Sequence, residues 1–193
     1  MRRRTALRVV ASASIGLPTA GCLGGEQGSP DRTLTTTTDC PPKDAPAPTC
    51  GGDFERVGAY TEGDVRLGTG AGFELTAEPA TVALGDCLTV RLTNRSEEEQ
   101  MTGIEEKYSI QRRTPDGWRS VLFAASAAYE DLGINHPPGT GFVWRRRLSQ
   151  SGLSVEGDRH AACEPLRAGT YRFLYWGVGD EFDALCVEFE VTE

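Results

Sequence analysis

The cysteines and histidines carry the most distinctive chemistry in this sequence, which has six cysteines and two histidines. Cys22 follows Thr19, Ala20 and Gly21, and small residues directly before a cysteine look like a lipobox. In such a motif the cysteine receives a lipid and becomes the new N-terminus. We therefore predict that Cys22 is a lipidation site and attaches the chain to a membrane through its lipid.

The segment before Cys22 has the features of an export signal. Residues 2–4 are arginines, and residues 6–20 form a short, mostly apolar stretch with many small side chains. A positive start, a short apolar core and small residues before the cut are typical of a secretory signal. The stretch is too short to span a bilayer as a helix, which takes about 20 residues. We predict that residues 1–21 are a signal peptide, whose arginine pair resembles the twin-arginine export motif.

The histidines, His136 and His160, offer little for catalysis or metal binding. A Ser-His-Asp arrangement needs a histidine beside an exposed serine, and the sequence has no Gly-x-Ser-x-Gly elbow. A blue-copper site needs two histidines, a cysteine and usually a methionine, clustered late in the chain. No histidine follows Cys163, and Met101 lies far before it. We predict no catalytic residues, no metal ligands and no cofactor, and we place both histidines in surface loops.

Paired carboxylates are the other candidates for chemistry. They occur at residues 97–99, 105–106, 130–131 and 180–181. Acid–base catalysis needs two carboxylates held across a pocket with different pKa values, whereas runs of acids in loops are usually solvated. We predict solvated loops, with a weak Ca²⁺ site at residues 180–183 as the alternative, because clustered oxygens suit hard cations.

The charge balance excludes nucleic acid as an expected partner. The chain has 20 Lys+Arg and 28 Asp+Glu, and from Cys22 onward it keeps 16 against 28, a net charge of −12. Proteins that bind nucleic acid need basic surface to displace counterions. Arginine is far commoner than lysine, which suits a salt-adapted organism such as a halophilic archaeon or reflects genomic bias. Residues 145–147 are all arginine and predict surface ion pairs or, as the alternative, a patch for an anionic ligand.

Residues 22–56 are predicted to be a lipid-anchored linker. Gly, Pro, Ser and Thr dominate residues 23–53, and this composition buries too little apolar surface to offset the entropy of ordering. We therefore expect residues 23–53 to be disordered and to act as a tether.

Residues 57–193 are predicted to form one all-β domain. Apolar and polar residues alternate in several short runs, most clearly at residues 73–77, 88–92 and 185–191. Period-two alternation with regular turn signals is typical of an antiparallel β-sandwich. Residues 124–132 are the exception, for which we predict one or two helical turns. We expect these residues to form the core: Leu88, Val90, Leu92, Tyr108, Ile110, Phe142, Trp144, Tyr171, Phe173, Val187 and Phe189.

Several segments of this domain resemble a bacterial or archaeal immunoglobulin-like domain of exported lipoproteins. They occur in order over residues 73–193, at residues 88–94, 108–111, 116–118, 138–139 and 166–173. The resemblance implies an immunoglobulin-like antiparallel β-sandwich behind a disordered N-terminal tether. Leu166, Gly169 and Tyr171 also resemble a tyrosine corner, in which the hydroxyl of Tyr171 bonds the backbone upstream.

Asn94, Arg95 and Ser96 form a glycosylation sequon at the end of a predicted strand. Such a sequon is expected in a surface loop of a secreted protein. We therefore predict a surface position for Asn94 and name it as the candidate glycan site.

Five cysteines remain after Cys22, so one is expected to be free or to pair between molecules. Cys40 and Cys50 are close in sequence and form one candidate disulfide. The loops before the second and sixth strands of a Greek-key sandwich lie at one end, which favours Cys87 with Cys163 and leaves Cys186 free. The competing arrangement joins Cys186 to Cys40 or Cys50 and frees the other.

Two functions follow from these observations. The first is a membrane-anchored surface lipoprotein on the extracellular face, whose non-enzymatic immunoglobulin-like module binds an unknown protein or glycan or supports the envelope. The alternative is an immunoglobulin-like proteinase inhibitor, because a family of such inhibitor domains shares the asparagine-ended strand and the late Pro-Gly and Gly-x-Tyr segments.

Overall fold

The computed structural model describes residues 40–43, 48–58, 65–125, 128–154, 159–179 and 184–193. These residues form fifteen strands and no helix, so the predicted all-β class is confirmed. In chain order the strands are β1 (Glu55–Arg56), β2 (Val65–Leu67), β3 (Thr69–Gly70), β4 (Phe73–Glu78), β5 (Thr81–Ala83), β6 (Cys87–Asn94), β7 (Gln100–Thr102), β8 (Tyr108–Thr114), β9 (Gly117–Ser120), β10 (Phe123–Ala124), β11 (Ile134–His136), β12 (Val143–Arg147), β13 (His160–Ala161), β14 (Gly169–Tyr175) and β15 (Ala184–Thr192).

Two larger sheets supply most of the core. One has four antiparallel strands in the order β12-β6-β4-β3. The other has the order β2-β15-β14-β8-β9, with β5 pairing a different part of β15. In this sheet β2 and β5 run parallel to β15, and the remaining pairs are antiparallel. Two small antiparallel sheets, β1-β10-β13 and β11-β7, complete the described part of the chain.

The two larger sheets share one hydrophobic core. The ring of Trp144 on β12 lies 4.8 Å from that of Phe173 and 5.4 Å from that of Tyr175, both on β14. Alternation places these side chains on the facing surfaces. The predicted core residues are all buried except Val187, which is half-buried and packs against the core.

The predicted helical turns at residues 124–132 are wrong for the residues described. Ala124 belongs to β10, where it pairs with Glu55 of β1 and with His160 of β13. These strand pairings take up backbone groups that a helix would use. Residues 128–132 have no regular secondary structure.

The tyrosine corner is confirmed. The hydroxyl of Tyr171 donates to the carbonyl of Arg167 at 2.6 Å and accepts from the Arg167 backbone N–H at 3.3 Å. Burial is the main reason that the pKa of Tyr171 is raised, so the hydroxyl stays protonated and keeps donating. Tyr171 therefore fixes the entry to β14 and has a structural role.

The predicted disulfide pairing is wrong, although the four cysteines named for it are the bonded ones. Cys40 pairs with Cys87, with Cα atoms 6.0 Å apart. Cys50 pairs with Cys163, with Cα atoms 5.8 Å apart. Cys186 is free, as expected, and it is buried.

Local contacts explain why Cys40 reaches Cys87. Arg147 pairs with Cys87 in the register of β12 and β6. Its Nε donates to the carbonyl of Pro41 at 2.6 Å, and its Nη1 donates to the carbonyl of Gly85 at 2.7 Å. The same arginine thus holds the segment beside Cys40 against the start of β6.

The segment around Cys50 is held near Cys163 in a similar way. Strand β1 pairs with β10, and the backbone N–H of Val57 donates to the carbonyl of Leu122 at 3.0 Å. Arg56 forms an ion pair with Glu164, the residue after Cys163. The described part of the predicted linker is therefore fastened to the domain, and the first strand among the described residues starts at Glu55, before the predicted boundary at residue 57. Within the described ranges, no helix has the length and apolarity to cross a membrane.

Candidate functional site

A cleft of about 340 Å³ opens where β8, β9 and the segment before β14 meet. Its walls carry four arginines, Arg56, Arg112, Arg119 and Arg167, and one carboxylate, Glu164. This local excess of positive charge opposes the acidic balance of the whole chain, whose net charge is −8. Concave surfaces lined by one sign of charge concentrate the field and attract the opposite sign. The cleft is therefore suited to an anion.

Strand register places two of the arginines side by side. Arg112 on β8 pairs with Arg119 on β9 and, on its other side, with Tyr171 on β14. Residues paired across antiparallel strands point to the same face, and like charges directly opposite each other are destabilising. Tyr171, Arg112 and Arg119 therefore lie in a row on one face of the sheet. A bound anion would reduce the repulsion between the two arginines.

Glu164 supplies the one negative group of the cleft. Its Oε1 lies 2.7 Å from Nη2 of Arg56 and 3.6 Å from Nη2 of Arg119. Arg56 is further held because its Nη1 donates to the carbonyl of Ser120 and its guanidinium lies 4.2 Å from the ring centre of Phe123. Glu164 thus compensates Arg56 and part of the charge of Arg119.

Arg112 and Arg167 form no ion pair with any described carboxylate. Nη2 of Arg112 donates to the carbonyl of Ala168 at 3.3 Å, and its Nε is buried with no hydrogen-bond partner in the described structure. Gly169 covers this guanidinium closely. Its φ of 141° favours glycine, and a Cβ there would lie 3.4 Å from Nε of Arg112. Arg112 is therefore held in place while its charge stays poorly compensated.

The prediction that the histidines lie in surface loops is wrong, because both are buried on strands. Nε2 of His136 shares a hydrogen bond of 2.8 Å with Oγ1 of Thr102, and its ring packs edge-on against Phe73 and Phe142. Nε2 of His160 shares one of 3.0 Å with the hydroxyl of Tyr129. Strand pairing of β11 with β7 and of β13 with β10 carries these side chains inward.

Cys163 is unavailable as a copper ligand because its sulfur is in a disulfide. Within the described ranges, no three His, Cys, Asp or Glu side chains lie together as a metal site would need. The alternative Ca²⁺ site at residues 180–183 lies outside the described residues, as does the lipidation candidate Cys22.

The predicted surface position of Asn94 is wrong. Its side chain is 1% exposed. Nδ2 donates to the carbonyls of Glu98 and His136, both at 2.8 Å, and Oδ1 accepts from the backbone N–H of Ser96 at 2.9 Å and from its hydroxyl at 2.7 Å. An N-linked glycan would attach at Nδ2, which is already engaged in the folded chain.

The side chains of Arg146 and Arg147 donate hydrogen bonds to other groups of the protein. Nε of Arg146 donates to the hydroxyl of Tyr108 at 3.1 Å, and Arg147 donates to the carbonyls of Pro41 and Gly85. A patch for an anionic ligand, the alternative predicted for residues 145–147, therefore fits the arginines of the cleft better.

Sequence reasoning missed the cleft, although part of the signal was present. Pro115, Asp116 and Gly117 are typical turn residues, and the observed pairing of Thr114 with Gly117 follows from such a turn. That register alone places Arg112 opposite Arg119. The other charged residues of the cleft, Arg56, Glu164 and Arg167, come from distant parts of the chain. The Cys50–Cys163 disulfide and the tyrosine corner hold their segments at the cleft.

Burial of His136 predicts a stability that depends on pH. Desolvation lowers the pKa of His136 in the folded protein, whereas the unfolded value is about 6.5. The contribution of neutral His136 is therefore complete above about pH 6.5 and is lost as the pH falls through the window between that value and the lower folded pKa. We expect the melting temperature to fall as the pH is lowered below about 6.5, and to fall less in His136→Gln. Equal slopes for the two proteins in a thermal melt series would contradict this assignment.

No family model matches this chain, and no curated protein matches it. Among solved structures, part of it is similar to the alkylpurine DNA glycosylase AlkC of Pseudomonas fluorescens, bound to DNA containing an abasic site analog. That match has 13% identity and a TM-score of 0.36, over 65% of this chain and 32% of the other.

Two β-glucosidases give similar values. The enzyme of Listeria innocua in complex with isofagomine has 18% identity and a TM-score of 0.32, over 62% of this chain and 16% of the other. EmGH1 of Erythrobacter marinus has 15% identity and a TM-score of 0.34, over 63% and 15%. The chain spans less than a third of the length of each of these three proteins, and likenesses at such scores carry no conclusion about its activity.

Proposed function

We propose that this protein is an exported, membrane-anchored surface lipoprotein whose folded domain is a non-enzymatic binding module. The observation that carries the proposal is the pair of disulfides, Cys40–Cys87 and Cys50–Cys163. Disulfides persist in oxidising compartments outside the cytoplasm, which agrees with the export signal at residues 1–21 and the lipid site at Cys22. The domain is then held by its lipid at the extracellular face of the membrane.

An immunoglobulin-like β-sandwich is the architecture we propose for the domain. Its support is the packing of β12 against β14 through Trp144 and Phe173, together with the hydrogen bond from Tyr171 to Arg167. A tyrosine corner of this kind accompanies immunoglobulin-like sandwiches.

Binding is favoured over envelope structure because the domain has a concave, charged cleft. Ligand sites are usually preformed clefts with a few convergent polar groups. The cleft at Arg112 has this character and lies on the sheet that has β14 as its central strand.

The inhibitor alternative gains no support from the segments that suggested it. Asn94 and Tyr171 are buried and bond the backbone. The turn at Gly139 is fastened to the end of β6, because the backbone N–H of Gly139 donates to the carbonyl of Asn94 at 2.8 Å. Asn94 and Tyr171 therefore serve the scaffold, whereas the turn at residues 137–140 is exposed.

Replacing the predicted lipid site tests the proposal. We expect Cys22→Ser to move the protein from the membrane fraction to the soluble or secreted fraction, because the hydroxyl cannot take the thioether-linked lipid. Cys186→Ser is the matched control, since Cys186 is the other cysteine outside the two disulfides and is buried. That variant should fractionate as the wild type does. Retention of Cys22→Ser in the membrane at the wild-type level would contradict lipid anchoring.

A further inference from the structure

The cleft at Arg112 carries more positive charge than its own carboxylate can balance. Glu164 is shared by Arg56 and Arg119 through a single oxygen. Arg112 and Arg167, on the same cleft, are left without a described carboxylate partner. A guanidinium stays charged at any pH the protein meets, so the deficit of negative charge is permanent.

The type of side chain points to the chemistry of the ligand. The planar guanidinium presents several N–H donors in a fixed fork that matches the oxygens of phosphate and related anions. Three arginines that face one cavity can donate to different oxygens of a single tetrahedral group. The volume of about 340 Å³ is at the lower end of ligand pockets, which suits one such group with a small substituent.

We propose that the cleft binds a tetrahedral oxyanion, a phosphate or sulfate group, either free or as a small monoester. Arg112 and Arg167 supply the principal donors, and Arg119 supplies a further one. Glu164 competes with the ligand because it pairs with Arg119 and Arg56. This proposal names the ligand class of the binding module proposed above, but it does not depend on the lipid anchor.

The experiment is a calorimetric titration of the purified full chain at constant ionic strength. The probes are inorganic phosphate, inorganic sulfate, glycerol 3-phosphate and acetate. We expect the tetrahedral anions to bind and acetate to bind far more weakly. Binding of glycerol 3-phosphate better than inorganic phosphate would identify esters as the natural source, and the reverse would identify the free anion.

Two cleft variants should move the affinity in opposite directions. Arg167→Gln should weaken phosphate binding roughly tenfold or more, because one charge-assisted donor is lost. Arg167 is exposed, so this variant is expected to fold even where Arg112→Gln does not. Glu164→Gln should tighten binding, because it frees Arg56 and Arg119 for the ligand.

Charge-matched controls on the other large sheet separate the cleft from overall charge. Arg91 on β6 and Glu78 on β4 are both exposed, and Arg91→Gln and Glu78→Gln should leave the affinity near the wild-type value. Absence of binding by phosphate and sulfate, or equal effects of Arg167→Gln and Arg91→Gln, would overturn the proposal. Either result would leave the outcome of the Cys22→Ser fractionation unaffected, so the two proposals fail separately.

Discussion

Replacing Cys50 and Cys163 together by serine should lower the free energy of unfolding more than any other change considered. The disulfide closes a loop with a sequence separation of 113. In the chain-entropy model, a closed loop of that size stabilises the fold by about 4–5 kcal/mol, through the entropy it removes from the unfolded chain. A typical domain is stable by about 5–15 kcal/mol, so we expect the midpoint of a denaturant titration to fall sharply.

The matched comparison uses the other cysteines. The double replacement of Cys40 and Cys87 removes a loop with a separation of 47 and should cost slightly less, about 4 kcal/mol in the same model. Cys186→Ser breaks no disulfide and should shift the midpoint much less. Unchanged stability after loss of Cys50 and Cys163 would mean that the N-terminal segment contributes nothing to the fold.

Among the single substitutions, Asn94→Ala is expected to lower the free energy of unfolding the most. The side chain is buried and makes four hydrogen bonds, two of them donated to the carbonyls of Glu98 and His136. Leaving buried polar groups without partners costs about 1–3 kcal/mol each. We therefore expect a loss of about 2–4 kcal/mol in the free energy of unfolding, measured by chemical denaturation.

Asn135→Ala is the control for this substitution. Asn135 lies on the neighbouring strand β11 and is exposed, so its replacement should change stability by no more than about 0.5 kcal/mol. Similar losses for the two variants would contradict a structural role for Asn94. A glycan found on Asn94 of the natural protein would contradict it as well, since Nδ2 is engaged.

The strands and the core were predictable because they follow from local alternation. Leu88, Val90 and Leu92 lie inward on β6 as their spacing requires, and Tyr171 bonds Arg167 as its motif indicates. Residues 124–132 contain several alanines and look helical in isolation. Pairing of Ala124 with strands from distant parts of the chain overrides that tendency.

Disulfide pairing could not be predicted from spacing, because it depends on contacts between distant segments. Arg147 draws Pro41 to the start of β6, and β1 brings Cys50 close to Cys163. No sequence pattern near the cysteines indicates either contact. The predicted exposure of Asn94 was wrong for a related reason. A sequon depends only on its own three residues, whereas Asn94 is buried by the strand ends that enclose it.

The cleft could be predicted from the sequence only in part. The turn at residues 115–117 fixes the pairing of Arg112 with Arg119, and this much follows from local sequence. Glu164 and Arg167 join the site only because Cys163 and Tyr171 hold their segment in place.

Intact-mass and peptide analysis of the unreduced protein, extracted from the membranes of its own cells, would show whether the domain is exported and lipid-anchored. We expect a chain that begins at Cys22, carries the added mass of a lipid there, and yields linked peptides for Cys40 with Cys87 and for Cys50 with Cys163. Cys186 should react with a thiol reagent only after unfolding, because it is buried. A chain that retains residues 1–21, or that lacks lipid and has all of its cysteines reduced, would contradict the proposal of an exported, lipid-anchored domain.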